Sequence, residues 1–125
     1  MIWLAVAIAG AAGAVARHVL DTVLAVASRS AFPWRTSVIN VSGSLLAGAV
    51  TAAVARGLLE PAVATVVAGG FLGAYTTFST AMYQTARLLD ERAHWTAVAN
   101  LVAPLLAATG AAAVGFVVAS RLLGA

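Results

Sequence analysis

The chain has 125 residues, of which 62% are hydrophobic and only 9% charged. A soluble domain carries roughly 25% charged residues, so this composition excludes an ordinary soluble enzyme and a disordered protein. Seven arginines, four acids and no lysine leave a net charge of +3, without the basic cluster a phosphate backbone demands, so no nucleic-acid partner is expected. The class that remains is an all-α integral membrane protein.

Taken in order, the uncharged runs are Met1–Ala16, Thr36–Ala55, Pro61–Ala86 and His94–Ser120, the last free of Asp, Glu, Lys and Arg. A spanning helix needs about 20 apolar residues. Four spans are therefore predicted in one membrane domain, over about 1–20, 36–56, 61–87 and 95–121. The first reaches full length only by continuing through Arg17. It lacks the basic segment of a signal peptide and is read as a mature helix. Residues 21–35, 56–60 and 87–94 are the predicted connections, none large enough for a soluble domain.

Small residues recur at spacing four: Gly10, Ala14 and His18; Gly69, Gly73 and Thr77; more weakly Gly43 with Ala47 and Gly110 with Val114. Such stripes let helix backbones approach closely in lipid. They serve packing within one chain and dimerisation equally well.

With four spans, Arg29, Arg35, Arg87 and Arg92 fall on one side, with Arg17 near its edge; Arg56 and Arg121 fall on the other. Basic residues in short loops favour the cytoplasmic side. The asymmetry predicts one preferred orientation, with both termini outside.

Polar residues within the spans cluster in Thr36-Ser37-Val38-Ile39-Asn40-Val41-Ser42-Gly43-Ser44 and in Gly69-Gly70-Phe71-Leu72-Gly73-Ala74-Tyr75-Thr76-Thr77-Phe78-Ser79-Thr80. Three glycines followed by paired threonines weaken helix continuity, and the third span is expected to break in mid-membrane. Backbone groups freed there must be satisfied by protein, water or an ion. Freed carbonyls are hard oxygen ligands suited to Na⁺. Hydroxyls, the Asn40 amide and the positive edge of the Phe78 ring are neutral donors suited to a small hydrated anion.

Each group also has a plainer role. Ser and Thr bond back to their own helix, a lone Asn can lock two helices together, and Phe packs. As a cluster beside a weakened helix, they point to a transport pathway. Arg17 is read as an anchor at a vestibule, snorkelling to the interface and pairing with Asp21 one turn on; the alternative is a charge that attracts ions to the mouth. No acid lies within a predicted span, which removes the carboxylate a proton-coupled cation exporter needs. No Ser/His/Asp set lies at plausible depth for hydrolysis and no phosphate-binding loop is seen, so an enzyme is not expected.

These two motifs, with Gly10-Ala11-Ala12-Gly13-Ala14-Val15-Ala16-Arg17-His18 before them, occur in the order found in the Fluc/CrcB fluoride channel family, which the chain resembles over essentially its whole length. The third motif carries most of that resemblance. The family likeness implies an antiparallel, dual-topology dimer with two narrow pores in a bacterial inner membrane. It implies passive export of fluoride that enters as HF and ionises inside. It implies a structural Na⁺ at the dimer centre, held by main-chain oxygens of Gly73 and Thr76, and a fluoride pathway shaped by Asn40, Phe78, Ser79 and Thr80. One position departs from the family: Ala81 stands where a second Phe ring is usual, and helix four is poor in hydroxyls around Pro104, Ala107 and Ala108. Some members of the family pair two related chains of opposite orientation. Ala81 and the arginine asymmetry both fit such a heterodimer; a homodimer with an altered pore and a non-conducting partner subunit are the alternatives.

Overall fold

The computed structural model describes residues 1–27 and 32–124. Among them there is no strand. The helices are α1 (Ile2–Ala27), α2 (Trp34–Ala55), α3 (Pro61–Ala64), a π-helical segment (Thr65–Leu72), α4 (Gly73–Tyr75), α5 (Phe78–Asp90) and α6 (His94–Leu122). The pieces from Pro61 to Asp90 form the third span, so four stretches are long and apolar enough to cross a membrane.

Helix boundaries follow local chemistry. Pro61 opens α3 at N1, where a missing N–H costs nothing. The second helix ends in a left-handed residue, Gly57, at φ 68°. The Leu58 amide bonds back to the Ala53 carbonyl at 3.0 Å and the Gly57 amide to Val54 at 2.9 Å, a Schellman cap. The end of α5 repeats this geometry with Arg92 at φ 59°, Ala93 bonding to Leu88 and Arg92 to Leu89.

Helix one differs from expectation. It runs to Ala27 rather than to about residue 20, so Asp21 is helical and the connection to α2 is shorter. Charge was the wrong boundary signal there. Residues 20–27 contain no Gly or Pro to stop a helix, and Thr22 Oγ1 bonds back to the His18 carbonyl at 2.8 Å. Arg29 lies outside the described residues.

The spans pack through backbone approach. The most extensive contact is α2 on α6. Gly48 lies against the Ala112 carbonyl and Gly115 against the Leu45 carbonyl, and a Cβ on either would overlap that oxygen. The π segment packs on α1, where Gly13 meets the Phe71 carbonyl in the same way. These glycines sit beside the predicted small-residue stripes rather than on them; Gly110 has nothing within 4 Å of its missing Cβ.

Large apolar side chains face outward, among them Val15, Val23, Leu105 and Leu106. The buried set includes Thr36, Thr77 and Asn100 beside Ile39 and Leu72. A fold that is greasy outside and partly polar inside is one built for lipid. Pro104 lies within α6 and cannot donate to the Asn100 carbonyl one turn before it.

Candidate functional site

The third span changes geometry twice. Its three glycines do not interrupt it; Gly69 and Gly70 lie in the wider π segment, and Gly73 begins α4. The interruption falls at the threonines. Thr76 has φ −78° and ψ 159°, Thr77 has φ −146° and ψ 119°, both extended.

In an unbroken helix the Thr77 amide would bond to the Gly73 carbonyl and the Thr80 amide to the Thr76 carbonyl. Here each goes elsewhere. The Thr77 amide donates to Asn40 Oδ1 at 2.8 Å, and Asn40 Nδ2 donates to the Thr77 carbonyl at 2.9 Å. One side-chain amide on α2 thus replaces two backbone partners. The Thr80 amide donates to Thr77 Oγ1 at 3.3 Å, an N-cap for α5. The Thr77 hydroxyl in turn donates to Thr80 Oγ1 at 2.9 Å and lies 3.4 Å from Ser79 Oγ. The result leaves the Gly73 and Thr76 carbonyls without their helical donors.

Around the break, polar side chains stitch the spans. Ser42 Oγ donates to the Ile39 carbonyl at 3.0 Å, so its contact with the Tyr75 hydroxyl at 2.9 Å has Tyr75 as donor. The Tyr75 ring stacks on Phe71, with centroids 6.0 Å apart. Gln84 Nε2 donates to Thr36 Oγ1 at 3.0 Å. Asn100 Nδ2 donates to Thr85 Oγ1 at 2.8 Å and to the Ala81 carbonyl at 3.3 Å, tying α6 to α5. Among the described residues, Gln84 Oε1 alone is a buried side-chain polar atom without a partner. The Thr36 hydroxyl can donate as well as accept. A reversed Gln84 amide keeps that bond and turns an N–H to the unpartnered position.

Two cavities meet at Thr77. The first, about 300 Å³, is lined by Asn40, Ser44, Thr76, Thr77, Phe78, Ala81, Met82, Asn100, Leu101, Pro104, Leu105 and Ala108. It is an apolar chamber with a few amide and hydroxyl groups and no ionisable one. The Phe78 ring is 76% exposed, covered by little of its own chain. The second, about 260 Å³, is polar and charged, lined by Arg17, His18, Asp21, Arg35, Thr36, Ile39, Thr77, Thr80 and Gln84.

Of the predicted site residues, Asn40, Thr76 and Phe78 therefore share the first cavity, and Arg17 and Thr80 the second. Ser79 lines neither; it is exposed beside Thr77. The expected Arg17–Asp21 pair does not form. Asp21 is taken by Arg35, whose Nη1 lies 3.2 Å from Asp21 Oδ2 and 3.1 Å from its main-chain oxygen. The physical reason is the longer first helix, which brings Asp21 beside the start of α2. Arg17 makes no hydrogen bond or ion pair among the described residues and lines the second cavity instead.

Sequence reasoning missed Asn100, Gln84 and Thr85. A signal existed: Asn100 is a lone amide inside the most apolar run, and Thr77, Thr80 and Gln84 fall on one helical stripe. No group of three or more His, Cys, Asp or Glu is placed to hold a metal among the described residues. Oxygen ligands from the backbone are the donors on offer.

Fold and site together define a multi-pass helical membrane protein with a broken third span and a chamber lined by neutral amides and hydroxyls at the break. The family model described as "CrcB-like protein, Camphor Resistance (CrcB)" matches residues 4–116. A protein of Leifsonia xyli named fluoride-specific ion channel FluC 1 is 45% identical over 92% of this chain and 84% of its own length. A Frankia casuarinae protein of the same name is 38% identical over 99% of this chain and 100% of its own. A Mycobacterium tuberculosis protein named FluC 2 is 38% identical over 91% of this chain and 87% of its own. The chain belongs to the CrcB family. It is a bacterial membrane protein of an ion-channel family, not an enzyme.

Proposed function

We propose that this chain forms a fluoride-selective channel that lets cytoplasmic fluoride leave a bacterial cell passively through the plasma membrane. The observation that carries the reading is the first cavity: neutral amide and hydroxyl groups and the Phe78 ring line it, with no carboxylate to repel an anion and no Lys or Arg to trap one. Channel relatives at 38–45% identity support fluoride as the ion.

Asn40, Phe78 and Thr80 would shape the pathway, Ser79 through its contact with Thr77, and Arg17 would attract anions to the second cavity. The Gly73 and Thr76 carbonyls fit a structural Na⁺, because the Asn40 and Thr77 side chains have taken the amides that would occupy them. A hard cation bound there would take the place of the missing amide donors and hold the break rigid. A second, antiparallel subunit would complete the pores.

The partner question turns on Ala81. It lines the first cavity, so a homodimer lacks a ring edge at that wall in both pores. This favours a heterodimer with a related chain of opposite orientation, over a homodimer with an altered pore or a non-conducting subunit.

The test is fluoride efflux from proteoliposomes holding this chain alone, with chloride as the control anion and Na⁺ present. Selective efflux by the lone chain supports a channel and removes the obligate heterodimer. Silence from folded, dimer-sized protein calls for co-expression with a second family member; continued silence overturns the channel reading. The Ala81→Phe variant is expected to raise flux if the missing ring edge limits it.

A further inference from the structure

The second cavity holds three charges: the Arg17 and Arg35 guanidinium groups and the Asp21 carboxylate. Arg17 and Asp21 are four residues apart on α1, the spacing at which opposite charges on a helix meet. They do not pair. Arg35, from the first turn of α2, grips Asp21 at both its side-chain and main-chain oxygens through one nitrogen. Arg17 keeps its donors free among the described residues.

We propose that Arg35 is a charge keeper: by holding Asp21 toward α2, it leaves the Arg17 guanidinium uncompensated in the second cavity, where it draws anions in. Arg35 is thus a positioning residue that acts through Asp21 on Arg17. The proposal deepens the fluoride reading and rests on it for the identity of the anion.

The physical argument is local. Thr36, Thr77, Thr80 and Gln84 add no charge to the walls, and His18, the other ionisable residue in the lining, is replaced in the test below. Two guanidinium groups and one carboxylate leave one net positive charge, and its placement depends on which arginine holds Asp21. A cleft of one sign concentrates counter-ions. Removing Arg35 takes away that net charge, and Asp21, no longer held toward α2, is free to turn one helical turn back and quench Arg17.

The chain contains no cysteine, so a single His18→Cys substitution places a reporter on an exposed, cavity-lining position. The readout is the ratio of its modification rates by an anionic sulfonate thiosulfonate and a cationic trimethylammonium thiosulfonate. At low ionic strength, Arg35→Ala is expected to lower the anionic-to-cationic ratio about threefold, the scale of one half-exposed charge pair. The loss should vanish near 1 M salt, where the screening length is about 3 Å. Adding Asp21→Asn should restore the ratio, and Asp21→Asn alone should raise it above wild type. Arg92→Ala, which removes the same charge from the α5–α6 connection without touching Asp21, should leave it unchanged.

An unchanged ratio in Arg35→Ala, an equal loss in Arg92→Ala, or no rescue by Asp21→Asn overturns the proposal. Should Arg35→Ala fail to fold, the Asp21→Asn single variant and the double variant decide it by the same ratio. Fluoride efflux from vesicles, using the conducting assembly, is expected to follow the same order. A shifted ratio with no wild-type efflux would leave the charge keeper standing and remove the fluoride reading.

Discussion

The α2–α6 contact and the break in the third span hold together by opposite means. Between α2 and α6, Gly48 and Gly115 let each backbone touch the other's carbonyl, with little polar chemistry. At the break, side chains stand in for backbone partners: Asn40 for the amide and carbonyl of Thr77, the Thr77 hydroxyl for the Thr80 amide. Lipid explains both. Without a hydrophobic force between helices, an intact helix gains by close packing. An interrupted helix must find a polar partner for every freed group. The first arrangement yields a rigid frame. The second leaves two backbone acceptors at the break, the Gly73 and Thr76 carbonyls, without their helical donors.

The comparison predicts a ranking. Gly115→Val should do most damage, because its side chain meets the Leu45 backbone, which cannot move aside. A loss of about 3 kcal/mol or more is expected, seen as failure to recover a monodisperse species in detergent. A stable Gly115→Val protein would break the frame side of the comparison.

Asn40→Leu comes next. It orphans both the amide and the carbonyl of Thr77, at about 2 kcal/mol, and should abolish fluoride efflux while the remaining protein stays folded. Retained efflux would separate Asn40 from the pathway. Thr77→Val removes the cap of α5 and should cost about 1 kcal/mol, read as a lower thermal midpoint in detergent.

The smallest change expected is a gain. Gly57 and Arg92 occupy the same left-handed position in two identical caps. An L side chain with a Cβ is disfavoured there, so Arg92→Gly should stabilise by about 0.5–1 kcal/mol. It should also weaken the orientation preference, since Arg92 lies on the arginine-rich side with Arg35 and Arg87. A reporter fused to the C-terminus reads that shift; an unchanged orientation would assign the bias to the other arginines.

Much of the site was legible because its chemistry is local. Paired threonines after glycines announced a break, and Asn40 announced a need for partners. The partners themselves were not legible. Asn40 meets Thr77 across 37 positions and Gln84 meets Thr36 across 48, distances over which no periodicity speaks. Asp21 shows the same limit at closer range. Its nearest opposite charge along the helix is Arg17, yet Arg35 holds it, because a stretch without Gly or Pro let α1 run past the expected end.

By itself the sequence determined the membrane class, the number and order of the spans, and the chemical character of the break. Partition into lipid is a sum over neighbouring residues, and helix weakness is a property of a few of them. Only the tertiary structure decided which groups satisfy the broken backbone, which arginine is left free, and that Asn100 and Gln84 belong with the site. Those outcomes depend on where four helices cross, and the crossing is determined by glycines whose contacts lie on other spans.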